Sequence, residues 1–140
     1  DAPANLFVAG FFGIPSINLI PGKVEAQPGS NTCDFICKNS SVRFELPSFI
    51  QTERKDLILG IRPEKILMDK ECKANSFEII RTEYHGDSQI CFLQSQDLSI
   101  TCKQTTTKLL DARNTGISID WTAVLWFEPK GGQRIQLSES

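Results

Sequence analysis

Hydrophobic and polar residues alternate in several short segments of this chain of 140 residues. Polar residues separate Val42, Phe44 and Leu46, and the same period of two recurs in segments 98–102 and 117–121. A period of two places successive side chains on opposite faces of a strand, so each of these segments predicts a half-buried strand.

Turn residues punctuate the strand-like segments. His85-Gly86-Asp87 lies between Phe77–Tyr84 and Ser88–Gln94 and predicts a hairpin. We expect Pro21-Gly22 to bend or break the apolar segment Ile17–Glu25. Many short strands with regularly spaced turns predict a mainly β fold, either a sandwich or a small barrel.

The segment Leu57–Lys65 combines a buried strand with an abrupt end. Leu57–Ile61 is apolar and of strand length, and Gly60 interrupts it as glycine does where a neighbour must come close. Arg62 precedes Pro63 and is therefore extended, while Pro63 opens a turn with Glu64 near its start.

Three roles remain open for Arg62 and Glu64. They could form an ion pair or a backbone contact that holds the end of the strand, since the arginine fork suits buried pairing. They could instead contact another domain or subunit, or Arg62 could bind a ligand anion. Gly60, Arg62, Pro63 and Glu64 are thus the first group of candidate site residues.

The two tryptophans form the second group. Trp121 is at an odd position and Trp126 at an even one, so one continuous strand would place their side chains on opposite faces, with one ring in the core. The other ring is a candidate for an interface, where aromatic residues are enriched, or for an ordinary exposed position.

Residues 1–12 are the best candidate for a helix. Asp1 can cap it, Pro3 suits its first turn and Gly13 can end it, while Leu6, Phe7, Gly10 and Phe11 share one side at helical spacing. The chain starts at Asp1 and its one methionine is Met68, so we expect a fragment of a longer protein.

Composition and charge narrow the classes of function. The net charge of −2 and the pI near 5.4 argue against binding to nucleic acid. No apolar run approaches the roughly 20 residues that span a bilayer, so we expect no direct membrane insertion. The odd count of five cysteines is unlike a secreted disulfide framework and indicates reduced thiols.

The residues that catalysis, metals or nucleotides require are missing from the sequence. One histidine, His85, lies in a turn, and Cys33 and Cys37 have too few partners for a zinc site. No phosphate-binding loop of the form G-x-x-x-x-G-K-S/T occurs. We therefore expect no catalytic, metal or cofactor-binding residue in this chain.

Four segments together resemble one known family. They are Leu59-Gly60-Ile61-Arg62-Pro63-Glu64, Pro3–Gly13, Pro15–Gly22 and Phe127–Ile135. With Leu59–Glu64 in the middle of the chain and the other three toward its ends, they are similar, in the same order, to motifs in the C-terminal regulatory domain of the ATPases of ATP-binding cassette (ABC) importers. Maltose-type and glycerol-3-phosphate-type ATPases carry such a domain, which contains the transport-associated OB module.

The resemblance implies an architecture and a role. Residues 1–13 would be a connector helix from an ATPase domain outside this chain, and residues 14–140 a regulatory OB-type β domain. The domain would be non-catalytic and would pair with a second copy. The parent chain would use ATP and magnesium and would contact the membrane permease subunits at the cytoplasmic face of the membrane. The imported solute would be a sugar, polyol or sugar phosphate. The alternative is an OB-type sensor of an oxyanion or a sugar.

Overall fold

The computed structural model describes residues 17–69, 75–105 and 113–137. These residues form eleven strands: β1 (Asn18–Ala26), β2 (Cys33–Cys37), β3 (Arg43–Glu45), β4 (Asp56–Ile61), β5 (Ile66–Asp69), β6 (Phe77–His85), β7 (Ser88–Ser95), β8 (Leu98–Thr105), β9 (Asn114–Ile119), β10 (Leu125–Phe127) and β11 (Arg134–Ile135). The predicted mainly β fold is confirmed.

The strands belong to two sheets. One sheet has six strands in the order β11-β10-β4-β1-β2-β3, and the other has five in the order β5-β9-β6-β7-β8. The chain passes between the sheets twice, from β4 to β5 and from β9 to β10, and a one-turn 3-10 helix makes each passage, at Pro63–Lys65 and at Trp121–Ala123. We call these the first and second crossover turns.

The hairpin predicted around His85-Gly86-Asp87 is present. β6 pairs antiparallel with β7 from His85 opposite Ser88, which leaves a two-residue turn in which Gly86 has a φ of 64°. Such a φ is costly for residues with a side chain, and glycine adopts it freely.

Pro21-Gly22 does not break the first strand, which corrects the sequence-based expectation. Pro21 lies inside β1 and pairs with Ile58 of β4, while its carbonyl accepts a hydrogen bond from the Lys38 N–H at 2.8 Å. The N–H and C=O of one strand residue point to the same side, so the missing proline N–H faces the position just past the end of β2. The loss is at most one bond, to Lys38 at the end of the pairing with β2, and the strand continues.

The core fills the space between the sheets. Leu57, Leu59 and Ile61 are fully buried in β4, and Phe35 and Phe77 are fully buried in β2 and β6. The period-two positions Val42, Phe44 and Leu46 are also buried, as their alternation predicts.

The predicted connector helix at residues 1–13 lies outside the described residues, so it remains a prediction. Among the residues that are described, no helix is both long and apolar enough to cross a membrane.

Candidate functional site

The first crossover turn follows directly from the local sequence. Arg62 is extended, with φ −73° and ψ 149°, as a residue before proline must be. Pro63 then opens the 3-10 helix, which the Lys65 N–H closes by donating to the Arg62 carbonyl at 3.0 Å. The turn predicted from Arg62-Pro63-Glu64 is therefore present.

Gly60 leaves room for its neighbours, as its position in the apolar run predicts. A Cβ at this position would lie 2.9 Å from Phe127 Cε2 and 3.2 Å from Ile17 Cδ1. Phe127 is fully buried, so its ring has little freedom to move away.

Arg62 and Glu64 do not hold the strand end by pairing with each other. Both side chains are exposed, and within the described residues no ion pair joins either of them to a partner. Arg62 also makes no side-chain capping hydrogen bond to the turn. Two of the three roles left open by the sequence remain, which are contact with another domain or subunit and binding of an anion by Arg62.

The second crossover turn is held by a cap that the sequence reading overlooked. Asp120 accepts hydrogen bonds from the Thr122 hydroxyl at 2.6 Å and from the Thr122 N–H at 3.2 Å. The hydroxyl bond, with help from the backbone bond and nearby Lys65, holds the pKa of the Asp120 carboxyl below its ordinary value. An Asp two residues before a Thr, at the end of a strand, is the sequence signal for such a cap.

The structure brings the two crossover turns together. The Asp120 N–H donates to the Lys65 carbonyl at 3.1 Å, and Ile66 pairs with Ile119 directly beside this bond. Residues 62–64 and the tryptophans, which are about 60 positions apart in sequence, thus lie in or next to two adjoining turns.

Trp121 and Trp126 do not lie in one continuous strand, so the prediction that they face opposite sides is wrong. Trp121 belongs to the second crossover turn, and Trp126 lies in the strand that follows it. The alternation of side chains between the two faces of a strand therefore does not apply to them. Their rings stack at a centroid distance of 6.4 Å and an interplanar angle of 12°. Trp126 is buried, as expected for one of the pair, and Trp121 is partly buried against the core.

The tryptophans contribute to the wall of a groove of about 680 Å³, which we call the Trp121 groove. Its described lining combines the apolar residues Phe49, Ile50, Trp121, Val124, Leu125, Trp126, Ile135 and Leu137 with the polar residues Thr122, Arg134 and Gln136. The volume is within the range of small-molecule sites.

Asn18 is a second residue that the sequence reading missed. It is buried at the start of β1, where its side-chain amide donates to the carbonyls of Ile61 at 3.2 Å and Thr101 at 2.9 Å. Its side-chain oxygen accepts from the Thr101 N–H at 2.7 Å. Asn18 therefore joins the two sheets, and an asparagine between Ile17 and Leu19 is the signal that could have revealed it.

Two of the described cysteines, Cys37 and Cys102, are unsuited to nucleophilic chemistry. Cys33, Cys37, Cys91 and Cys102 are free thiols, as the sequence predicts. Burial raises the pKa of Cys37 and of Cys102 to about 12, and in Cys102 the neighbouring Cys91 adds to the shift. At neutral pH these two groups stay protonated, and the thiolate is the nucleophilic form.

The described residues offer no cluster of three metal-ligating side chains. His85 is exposed in its hairpin, with Nε2 at 3.5 Å from the carboxylate of Glu83. The absence of a catalytic, metal or cofactor site in the whole chain stays a prediction.

Comparison with known proteins gives a consistent set of relatives. Residues 13–66 match the family model described as the MalK OB fold domain. The sn-glycerol-3-phosphate import ATP-binding protein UgpC of Bordetella avium is 31% identical over 97% of this chain, and the match spans 38% of that relative. The alpha-glucoside transport ATP-binding protein AglK of Rhizobium meliloti is 36% identical over 47% of this chain and 18% of its own length.

A solved structure shares the fold. The cytoplasmic molybdate-binding protein ModG aligns with a TM-score of 0.60 over 82% of this chain and 98% of its own, at 14% identity. At that identity the likeness concerns the fold alone. The family match over residues 13–66 and the two transport relatives support the resemblance seen in the four motifs: this chain is similar to a MalK OB fold domain and to ATP-binding proteins of sn-glycerol-3-phosphate and alpha-glucoside transport.

Proposed function

We propose that this chain is the non-catalytic regulatory and dimerisation domain of an ABC importer ATP-binding subunit for a sugar, polyol or sugar phosphate. The observation that carries the proposal is the match to UgpC over nearly the whole chain. The chain spans 38% of that relative, which leaves room in a longer protein for a separate ATPase domain. That domain would bind ATP and magnesium.

The crossover turns support a role in contact rather than in chemistry. Arg62 and Glu64 project from a turn whose backbone is held by hydrogen bonds, and both charges are exposed. Two exposed side chains of opposite charge beside such a turn suit docking to another protein surface, such as the proposed ATPase domain. We propose that the parent subunit pairs with a second copy and with membrane permease subunits, at the inner face of the membrane.

The surface proposed for pairing is the one around Trp121. Trp126 is buried, so it supports the surface from behind, while Trp121 is partly exposed beside it. Two copies that meet here by a two-fold axis would bury an aromatic centre with a polar rim, which is the usual anatomy of an interface.

Two measurements on this chain test the proposal. We expect neither binding of a fluorescent ATP analogue with magnesium nor release of phosphate, because the phosphate-binding loop is missing. Sedimentation should show self-association that rises with concentration. Micromolar nucleotide binding or turnover would contradict the non-catalytic role, and a monomer at millimolar concentration would contradict pairing through this domain.

A matched pair of variants locates the contact. Gln136→Glu adds a charge beside Trp121 at an exposed position, and Gln94→Glu adds the same charge at an exposed position outside the Trp121 groove. Burying an unpaired charge should weaken self-association about tenfold or more in the first variant. Equal behaviour of both variants would exclude the surface at Trp121.

A further inference from the structure

The six-stranded sheet carries a second apolar surface, on the side that faces away from the core. Ile20, Leu59 and Trp126 belong to the cluster between the sheets, and their strand neighbours point the other way. The register places those neighbours in two rows, with Leu19, Gly60 and Leu125 in the first and Pro21, Ile58 and Phe127 in the second. Together with Ile17, we call these residues the Phe127 face.

Phe127 is fully buried although it lies on this outer face. Its ring reaches over Gly60, where Cε2 lies 2.9 Å from the position of an added Cβ. Phe127 is not part of the apolar cluster between the sheets as the described residues form it. Because its burial is complete in a single chain, the cover over the ring comes from the chain itself and not from a partner.

The chain enters the described structure on this same face. Ile17 is the first residue described, and its Cδ1 lies 3.2 Å from the Cβ position of Gly60. Residues 13–16 can reach about 14 Å at most, and a helix over residues 3–12 would be about 15 Å long. The neighbouring strands β1, β4 and β10 together span about 10 Å. A helix that folds back from Ile17 is therefore long enough to cover all three strands.

The chemistry of residues 3–13 matches the Phe127 face. Residues 2–22 contain no charged side chain, so no charge would lose its hydration in this contact. At about 100° per residue, Leu6, Phe7 and Phe11 share one side of the predicted helix, and Phe12 lies on the opposite side. A helix with such an apolar side is stabilised by burying it against a sheet.

We propose that residues 3–13 pack on the Phe127 face as a helix and cover Phe127 with their apolar side. Trp126 alternates with Phe127 in β10, so the surface at Trp121 lies on the other side of the sheet and stays free for a second copy. The inference rests on the proposed function for its consequence. A connector fixed to β1, β4 and β10 would make an ATPase domain that precedes it turn together with the six-stranded sheet.

Nuclear Overhauser effects measured by NMR on the full chain test the contact directly. The ring protons of Phe127 should show them to at least one of Leu6, Phe7 and Phe11, and none to Phe12. A mixture of labelled and unlabelled chains distinguishes contacts within one chain from contacts between two. Absence of these effects would overturn the proposal, and effects that arise only between chains would assign the Phe127 face to a second copy instead.

A matched pair of variants measures what the contact contributes to stability. Phe7→Asp places a charge on the proposed contact side, and Phe12→Asp places the same charge on the opposite side. In urea unfolding, Phe7→Asp should lower the ratio of folded to unfolded chain about tenfold or more, because the charge must lose its hydration or the helix must leave the sheet. Phe12→Asp should change that ratio about twofold or less.

The outcomes separate this inference from the proposed function. Phe7→Asp should also abolish the Overhauser effects at Phe127, whereas Phe12→Asp should keep them. Equal effects of the two substitutions on stability would overturn the proposed orientation and with it the proposal. Nucleotide binding by the chain, or failure to self-associate, would contradict the proposed function and leave the Overhauser effects intact. Loss of the helix contact would leave the regulatory role intact.

Discussion

Gly60 shows how one residue without a side chain permits close packing across a sheet. The space that a Cβ would need is occupied by Phe127 and Ile17, and the Leu125 carbonyl oxygen lies 3.4 Å from the same point. The buried Phe127 ring has little room to move away, so the glycine is required by its neighbours rather than by its own backbone conformation.

We expect Gly60→Val to destabilise the chain by about 1–3 kcal/mol through overpacking. Urea unfolding provides the free energy. Lys103→Val is the control, since it places the same β-branched side chain at an exposed strand position and should change stability by no more than about 0.5 kcal/mol. An unchanged unfolding free energy for Gly60→Val would mean that Phe127 and Ile17 move aside at no cost.

At the scale of elements, the two crossover turns are the joints between the sheets. Each is a single 3-10 turn, and each is stabilised differently: proline sets the geometry of the first, and the Asp120 side chain caps the second. The hydrogen bond from the Asp120 N–H to the Lys65 carbonyl joins the two turns, so a change in the backbone of one turn should displace the other.

The Asp120 cap should make stability depend on pH in a defined direction. Its pKa is lowered in the folded chain, so its contribution is present above the ordinary carboxyl pKa and is lost as the pH falls through the lowered pKa. Asp120→Ala should therefore melt at a lower temperature than the parent chain at pH 7, and the difference should narrow on acidification below about pH 4.

Glu78→Ala is the control for this cap, since it removes an exposed carboxylate from a strand. Its melting temperature should stay close to that of the parent chain at every pH. A difference between Asp120→Ala and the parent that persists unchanged at low pH would show that the carboxylate is not the stabilising group.

At the scale of the whole molecule, Asn18 joins β1 and β4 of one sheet to β8 of the other. The five-stranded sheet also curls, so that the Cys102 thiol of β8 donates to the Ile66 carbonyl of β5 at 3.0 Å. The sheets thus meet through a buried polar contact as well as through the apolar core, and such a contact specifies their relative position.

Replacement of Asn18 by leucine tests that contact. Asn18→Leu keeps the size of the side chain but removes the partner of the Thr101 N–H, which should cost roughly 1–3 kcal/mol. Calorimetric unfolding measures the loss. Ser99→Ala, at an exposed position of β8, should remain within about 0.5 kcal/mol of the parent. Equal stability of the two variants would assign the docking of the sheets to apolar packing alone.

The sequence by itself determined the features that depend on near neighbours. Period-two alternation identified β3, β8 and β9, the proline after Arg62 identified the first crossover turn, and Gly86 identified the hairpin, because each is decided within a few residues. The strands β2 and β5 were not predicted. The four motifs revealed the resemblance that the family match over residues 13–66 supports, since each is a short run of consecutive residues. The close packing at Gly60 was also foreseen, although not the identity of its neighbours.

Only the tertiary structure decided the relations between distant segments. It kept Pro21 inside a strand because the missing N–H lies beyond the end of β2. It placed Trp121 against Trp126, since the turn capped by Asp120 lies between β9 and β10 and the two rings are not in one strand. It also brought Asn18 to Thr101 and Asp120 to Lys65. Such contacts depend on how two sheets pack, and no local pattern encodes that choice.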